Sequence, residues 1–177
     1  KYFKYFFKLK KVENNKIDRV RAVGKIDMLA EKIKTINFGT GQSTIGIAHT
    51  RWATHGVPSE RNAHPHIIGG RVALVHNGII ENYEALKAPF LKAGYEFLSD
   101  TDSEVIGCCI LEALEKGSGC SLVRAVQETV QKLEGAYALC VMDLNNANQL
   151  VGVRCGSPLV VGLGENEKFL VSDTLAL

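Results

Sequence analysis

No cysteine occurs before position 108, and the five that follow, Cys108, Cys109, Cys120, Cys140 and Cys155, include no CxxC pair. An odd number without that spacing excludes a closed disulfide scaffold and suits reduced thiols in a cytoplasmic protein. No apolar run approaches the roughly 20 residues needed to cross a bilayer. The first eleven residues interleave five lysines with five aromatics, without the unbroken apolar core of a secretory signal. Charge has no strong bias either: the net value is +2, so neither a nucleic acid nor a membrane surface is expected as partner. What remains is ordinary for a globular chain, with 46% hydrophobic and 23% charged residues. A chain of 177 residues is near the usual size of one domain and can bury roughly 70% of its unfolded surface. A single domain over residues 1–177 is expected, with 1–15 atypical of it.

The pattern along the chain reads as strands, then helices, then strands. Lys1–Lys11 reads as an edge strand guarded by lysines. Ile17, Val20 and Val23 suggest a second strand that ends at Gly24 and completes a hairpin with the first. Ile26, Leu29, Ala30 and Ile33 share one helix face, and 37–43 is a glycine-containing loop. Val57–His66 reads as an irregular loop, and Val72–Val75 as a compact apolar strand ending at His76-Asn77-Gly78. Residues 81–92 read as a helix that Pro89 kinks or breaks. Thr101-Asp102-Ser103-Glu104 is a capping box opening a helix to about Glu115, and Leu122, Val126, Val130 and Leu133 mark another. Short β-rich runs follow at 136–142, 150–153, 159–163 and 169–171. Without strict βαβ alternation, this order predicts α+β architecture with antiparallel sheets.

Three clusters could carry chemistry. Ile47–Gly56 opens as an apolar strand and then places Arg51, Trp52, Thr54 and His55 within five positions, a load that packing alone does not require. The Arg51 fork can bind a carboxylate bidentately, and Asp102, at a helix N-terminus, can accept hydrogen bonds from an ammonium group. Together they would hold both charged groups of a free α-amino acid. Asn77 and Gly78 supply a side-chain and a backbone N–H, the two donors of an oxyanion hole. All five histidines fall between His49 and His76; the span has no cysteine and few carboxylates, so no metal site is expected.

Thr50–Gly56 (TRWATHG), Asn62–His66 (NAHPH), Val75–Asn82 (VHNGIIEN), Ser99–Ile106, Leu133–Ala138, Gly156–Gly164 and Ser172–Leu177 together resemble the glutaminase domain of the isomerising glutamine:fructose-6-phosphate aminotransferase family. The resemblance runs from about Asp18 to the C-terminus. It implies an N-terminal-nucleophile hydrolase fold, an αββα sandwich of antiparallel sheets, and a cofactor-free glutaminase that supplies ammonia for glucosamine 6-phosphate. By motif it assigns the glutamine α-carboxylate to Arg51 and the α-ammonium to Asp102. It gives pocket-lining places to Thr54 and His55, the oxyanion hole to Asn77 and Gly78, and a gate toward the acceptor domain to Trp52. Sugar isomerase domains and a homo-oligomeric full-length enzyme are implied as partners.

The family nucleophile is a cysteine at the mature N-terminus with its own α-amine as base, whereas this sequence begins with Lys1. The expectation is a chain lacking the family's first strand and helix, inactive as given and marginally stable by itself. The alternatives are a non-catalytic module that binds glutamine or a protein partner, and another class II amidotransferase with a different acceptor.

Overall fold

The structure is a computed structural model, and it describes residues 3–5, 17–36, 45–51, 55–117, 119–146 and 148–177. Its centre is a pair of nine-residue antiparallel strands, β4 (Val72–Ile80) and β5 (Gly135–Asp143), in register from Val72↔Asp143 to Ile80↔Gly135. Side chains alternate between the two faces of a strand. Val72, Leu74, Ile80, Leu139 and Val141 therefore share one face, packed with Ile106, Ile110 and Leu114 of helix α3 (Asp102–Lys116) and with Leu122 and Val126 of helix α4 (Leu122–Val130). The alternate residues Ala73, Val75, Cys140 and Met142 meet Ile17 and Ile47, with Leu170 against them. Both faces of β4 are thus covered, which is why its sequence opens as an unbroken apolar run.

Strand β3 (His66–Ile68) pairs with Val72–Leu74 alone, and β6 (Leu150–Cys155) flanks β5, giving the order β3-β4-β5-β6. Gly69 and Gly70, with φ of 57° and 66°, make the left-handed pair of the β3–β4 hairpin turn. Two further antiparallel pairs complete the described sheets: β1 (Phe3–Tyr5) with β2 (His49–Arg51), and β7 (Val160–Leu163) with β8 (Lys168–Val171). Helix α1 (Ile26–Thr35) inserts only Leu29 fully, beside Val20, Ala22 and Ala63. Helix α2 (Tyr83–Lys92) borders the α3 core through Leu86 and Phe90. Helical layer and antiparallel sheets together make the expected α+β sandwich. Among the described residues no helix is long and apolar enough to cross a membrane.

Several sequence expectations are corrected. The opening strand pairs with β2, and 17–22, expected as its hairpin partner, has no regular structure although Ile17, Val20 and Ala22 are buried. The rest of that hairpin and the 37–43 loop lie outside the described residues. The loop after Gly56 stops one residue early, because His66 already begins β3. Helix α2 continues through Pro89, and α4 ends at Val130, before Leu133. The largest correction concerns Asn77-Gly78, which is no strand end: β4 runs through it to Ile80. Gly78 has φ 130°, and a Cβ there would sit 2.0 Å from the Ala136 carbonyl oxygen of β5. The close approach that the glycine permits is to the neighbouring strand.

A second glycine is fixed by packing. A Cβ on Gly107 of α3 would lie 2.3 Å from Ile68 Cδ1 and 2.6 Å from Leu74 Cδ2, side chains with nowhere to move in a filled core. Gly107→Ala is expected to destabilise the chain, because overpacking costs about 1–3 kcal/mol against about 1 kcal/mol of helix propensity gained. Urea unfolding checks this; an unchanged or raised midpoint contradicts it.

Candidate active site

Because pairing with β3 stops at Leu74, the outer edge of β4 from Val75 onward meets no strand among the described residues. A cavity of about 150 Å³ opens there, lined by Arg51, His55, Asn77, Gly78 and Asp102 together with His49, Thr50, His64, His76, Thr101 and Ser103. Pockets for drug-sized ligands run to about 300–1,000 Å³, so this one suits a small metabolite rather than a drug-sized ligand. The structure brings together every described member of the three clusters read from the sequence. Trp52 and Thr54 lie outside the described residues.

The α3 N-terminus supplies the acidic side. Asp102 is buried; its Oδ2 accepts the Ile80 amide of β4 at 2.9 Å and its Oδ1 faces the Ser103 hydroxyl at 3.3 Å. A carboxylate in the first helical turn is stabilised by the helix dipole. The capping box itself is differently wired. Thr101 is the N-cap, yet its hydroxyl makes no cap bond and turns to His66 Nε2, 3.1 Å away, and to Ser99 Oγ at 2.9 Å. Glu104 reaches past the N-cap to accept the Leu98 and Ser99 amides at 2.8 and 2.6 Å and the Ser99 hydroxyl at 2.6 Å. A buried histidine that needs a partner, absent from any local cap pattern, redirects the threonine.

Opposite lies Arg51, 6% exposed, at the end of β2. Its Nη2 donates to the carbonyls of His55 and Gly56, the latter at 3.1 Å. That loop is pinned by Asn62, fully buried, which donates to the Val57 carbonyl and exchanges hydrogen bonds with Asp100 just ahead of α3. Gly56 is needed there: with φ 75°, a Cβ would fall 2.5 Å from Asn62 Nδ2. So the asparagine of the NAHPH segment couples the arginine loop to the helix that carries Asp102.

Between the two charges lies a layer of histidines. His64 Nε2 and His76 Nδ1 lie 3.0 and 2.9 Å from Ser103 Oγ, and His49 Nε2 lies 2.7 Å from Asn77 Oδ1. His49 and His64 stack with ring centroids 4.2 Å apart, and His64 meets His66 edge-on at 4.9 Å. Burial, reinforced by neighbouring rings and cations, pushes His66 down to about 3 and His64 well below its ordinary value. Burial likewise pushes His49 down to about 4, against the opposing pull of its hydrogen bond to Asn77. His76 is lowered by burial too, although Asp102, 3.8 Å away, favours its charged form. The rings are therefore neutral near pH 7, and His76–Asp102 is a polar contact without a charge pair. Among the described residues no three His, Cys, Asp or Glu side chains are grouped to hold a metal ion. The sequence reading passed over His49, His64, His76 and Ser103 as site residues; the crowding of all five histidines into 49–76 was the available clue.

Comparison with known proteins places this geometry in context. The family profile described as "Glutamine amidotransferase domain" matches residues 49–176. The chain is 49% identical over 166 residues to the glutamine–fructose-6-phosphate aminotransferase (isomerizing) of Shewanella oneidensis, covering 94% of this chain and 26% of that protein. With the same enzyme of Aliivibrio fischeri it shares 52% identity over 159 residues, 90% of this chain and 25% of the relative. The chain thus spans about a quarter of the length of these curated relatives. Among solved structures, the glutamine phosphoribosylpyrophosphate amidotransferase of B. subtilis superposes with a TM-score of 0.71 at 21% identity, over 99% of this chain and 36% of its own. An allosteric regulatory enzyme of purine biosynthesis gives 0.76 at 22% identity, over 98% and 36%. At such identities the likeness concerns the fold.

Neutral buried rings make stability depend on pH with a definite sign. A histidine whose folded value lies below its unfolded value of about 6.5 contributes fully above pH 6.5 and loses that contribution as pH falls toward the folded value. For His49 and His66, with folded values near 4 and 3, this amounts to about 2 kcal/mol each between pH 6.5 and 5. His64 and His76 shift the same way. The urea midpoint is expected to drop steeply from pH 7 to pH 5, and His66→Gln to flatten that drop. Equal midpoints at the two pH values would contradict the neutral layer.

Proposed function

This chain belongs to the glutamine amidotransferase domain family, and on that premise we propose that it is the glutaminase domain of an isomerising glutamine–fructose-6-phosphate aminotransferase, binding glutamine whose side-chain nitrogen is released as ammonia. The observation that carries this reading is the convergence of Arg51, Asp102, Asn77 and Gly78 on one small cavity. An α-amino acid presents a carboxylate and an ammonium group on one carbon. Arg51, oriented by the His55 and Gly56 carbonyls, would pair with the first, and Asp102, whose carboxylate retains acceptor capacity beyond the Ile80 amide, with the second. His55 and Thr54 would line the pocket, and Trp52 would gate passage toward the acceptor.

Hydrolysis in this family's manner is covalent. A thiolate adds to the side-chain carbonyl carbon of glutamine, and the carbonyl oxygen takes up the negative charge. Asn77 and Gly78 would stabilise that oxygen by donating N–H groups, the kind of contact whose removal typically costs 10²–10³ in rate. Collapse expels ammonia and leaves a thioester, which water cleaves to glutamate. No cofactor is needed. The five cysteines of this sequence do not supply the thiolate. Cys108, Cys109 and Cys140 are buried in the core, and burial pushes their thiols up to about 12, 11 and 12. Cys120 and Cys155 stand elsewhere, and no cysteine lines the cavity. That observation favours a second reading for the 177-residue polypeptide itself, a glutamine-binding module without turnover. Sugar isomerase domains, a homo-oligomeric enzyme and a cytoplasmic setting belong to the proposed whole protein.

Calorimetry on this chain tests the reading. Glutamine should bind, and Arg51→Ala and Asp102→Ala should each weaken it by about 10- to 100-fold, the loss of a charge-assisted contact. Glutamate release should be absent. Affinity indifferent to both substitutions would remove the amino-acid pocket; release that depends on Cys108 or Cys109 would remove the assignment of those thiols to the core.

A further inference from the structure

The neutral histidine layer holds one residue whose partner belongs to the proposed oxyanion hole. Three rings each have one nitrogen in a hydrogen bond and the other without a partner and sealed from solvent: His49 Nδ1, His64 Nδ1 and His76 Nε2. A neutral imidazole has a single N–H. Leaving a buried N–H unpaired is rarer and costlier than leaving a bare nitrogen unpaired, so each proton sits on the partnered atom. For Ser103 this closes consistently. His64 Nε2 and His76 Nδ1 both donate to its oxygen, and its own proton goes to Asp102 Oδ1.

The same rule fixes His49 with its proton on Nε2, donating to Asn77 Oδ1 at 2.7 Å. Burial pushes His49 down to about 4; hydrogen bonding to Asn77 and to the His76 backbone favours a second proton, the charges of His76 and Arg51 disfavour it, and His64 packs at a tilt against its ring. Once Asn77 Oδ1 is the acceptor, the amide orientation is settled. Nδ2 makes no hydrogen bond among the described residues and is not a sealed atom, which leaves it available as a donor at the junction of the two cavities that Asn77 lines. Were the amide turned over, Nδ2 would face His49 and the carbonyl oxygen would face the ligand. An acceptor would then stand where negative charge develops, and the hole would repel what it should stabilise.

We propose that His49 is a positioning residue for glutamine turnover: its Nε2–H locks the Asn77 side chain so that Nδ2 is the donor presented to the substrate carbonyl. This rests on the reading of Asn77 as an oxyanion-hole donor. His49 lines the cavity beside Asn77, and the role assigned to it is exerted through the Asn77 amide.

The test uses the full 177-residue chain. Long-range ¹H–¹⁵N correlation of the His49 ring at pH 7 should report the Nε2–H tautomer; an Nδ1–H tautomer or a charged ring overturns the proposal. Calorimetry then compares glutamine with norvaline, which keeps the α-amino and α-carboxylate groups and lacks the amide. His49→Leu should weaken glutamine about five- to tenfold more than it weakens norvaline, the range of one hydrogen bond. His49→Gln, able to present an N–H to Asn77, should recover most of the loss. Equal loss for both ligands makes His49 merely structural and overturns its role, as does no loss for either. A wild-type chain that binds neither amino acid overturns the pocket reading itself, whereas binding of both with the wrong tautomer overturns only the part given to His49.

Discussion

One hydrogen bond joins the two halves of the site: the Ile80 amide of β4 donates to Asp102 at the start of α3. Beyond Leu74 the outer edge of β4 meets no strand among the described residues, and a buried amide without a partner costs about 1–3 kcal/mol. Asp102 satisfies that amide and, in doing so, places a carboxylate at the rim of the gap between strand edge and helix. Everything else around the cavity is arranged by this attachment. Ser103 follows onto the next position and gathers His64 and His76; Asp100 precedes it and is tied by Asn62 to the Arg51 loop. The anionic and cationic ends of the cavity are thus set by the entry into one helix.

The filling between those ends explains the histidines. A cavity with a carboxylate at one end and a guanidinium at the other is best filled between them by neutral groups, since an uncompensated charge in a dry interior is costly. Apolar residues would satisfy that condition but could donate nothing to Asn77 or Ser103. Neutral imidazole offers one N–H on a flat ring that also stacks, so His49, His64 and His76 fill space and orient partners without adding charge. Glutamine or lysine at the same places would bring either an extra unpaired donor or a permanent cation.

Much of this was legible in the sequence. The residues that would grip an amino acid were read from their chemistry, and Arg51, His55, Asn77, Gly78 and Asp102 do line one cavity. The apolar runs also identified β5 to β8, the first half of β4 and the four helices within a few residues. What escaped was long-range. Thr101-Asp102-Ser103-Glu104 has the spacing of a capping box, but His66, 35 positions away, competes for the threonine, and no local pattern carries that. Ile17, Val20 and Ala22 alternate like nothing in particular because they fill gaps beneath α1 and the sheet. Strand β3 was missed although Gly69-Gly70 between two apolar runs is a hairpin mark, because proline, serine and asparagine upstream made the whole span read as loop.

The glycine of the Asn-Gly step shows why local and functional readings can share a residue. Gly78 has a positive φ, and the nearest atom to a Cβ there is the Ala136 carbonyl oxygen of the paired strand. The two needs are compatible. Adjacent residues of a strand point to opposite faces, so His76 turns to Ser103 on the helical side while Asn77 turns to His49 on the other. With φ 130° at Gly78, β4 stays paired with β5 through to Ile80, whose amide reaches Asp102. Any side chain at position 78 would push β5 away or pull β4 straight, and either movement would shift the Asn77 amide relative to Arg51. The glycine is therefore required by the strand pairing, and through that pairing it sets where the Asn77 amide stands relative to Arg51.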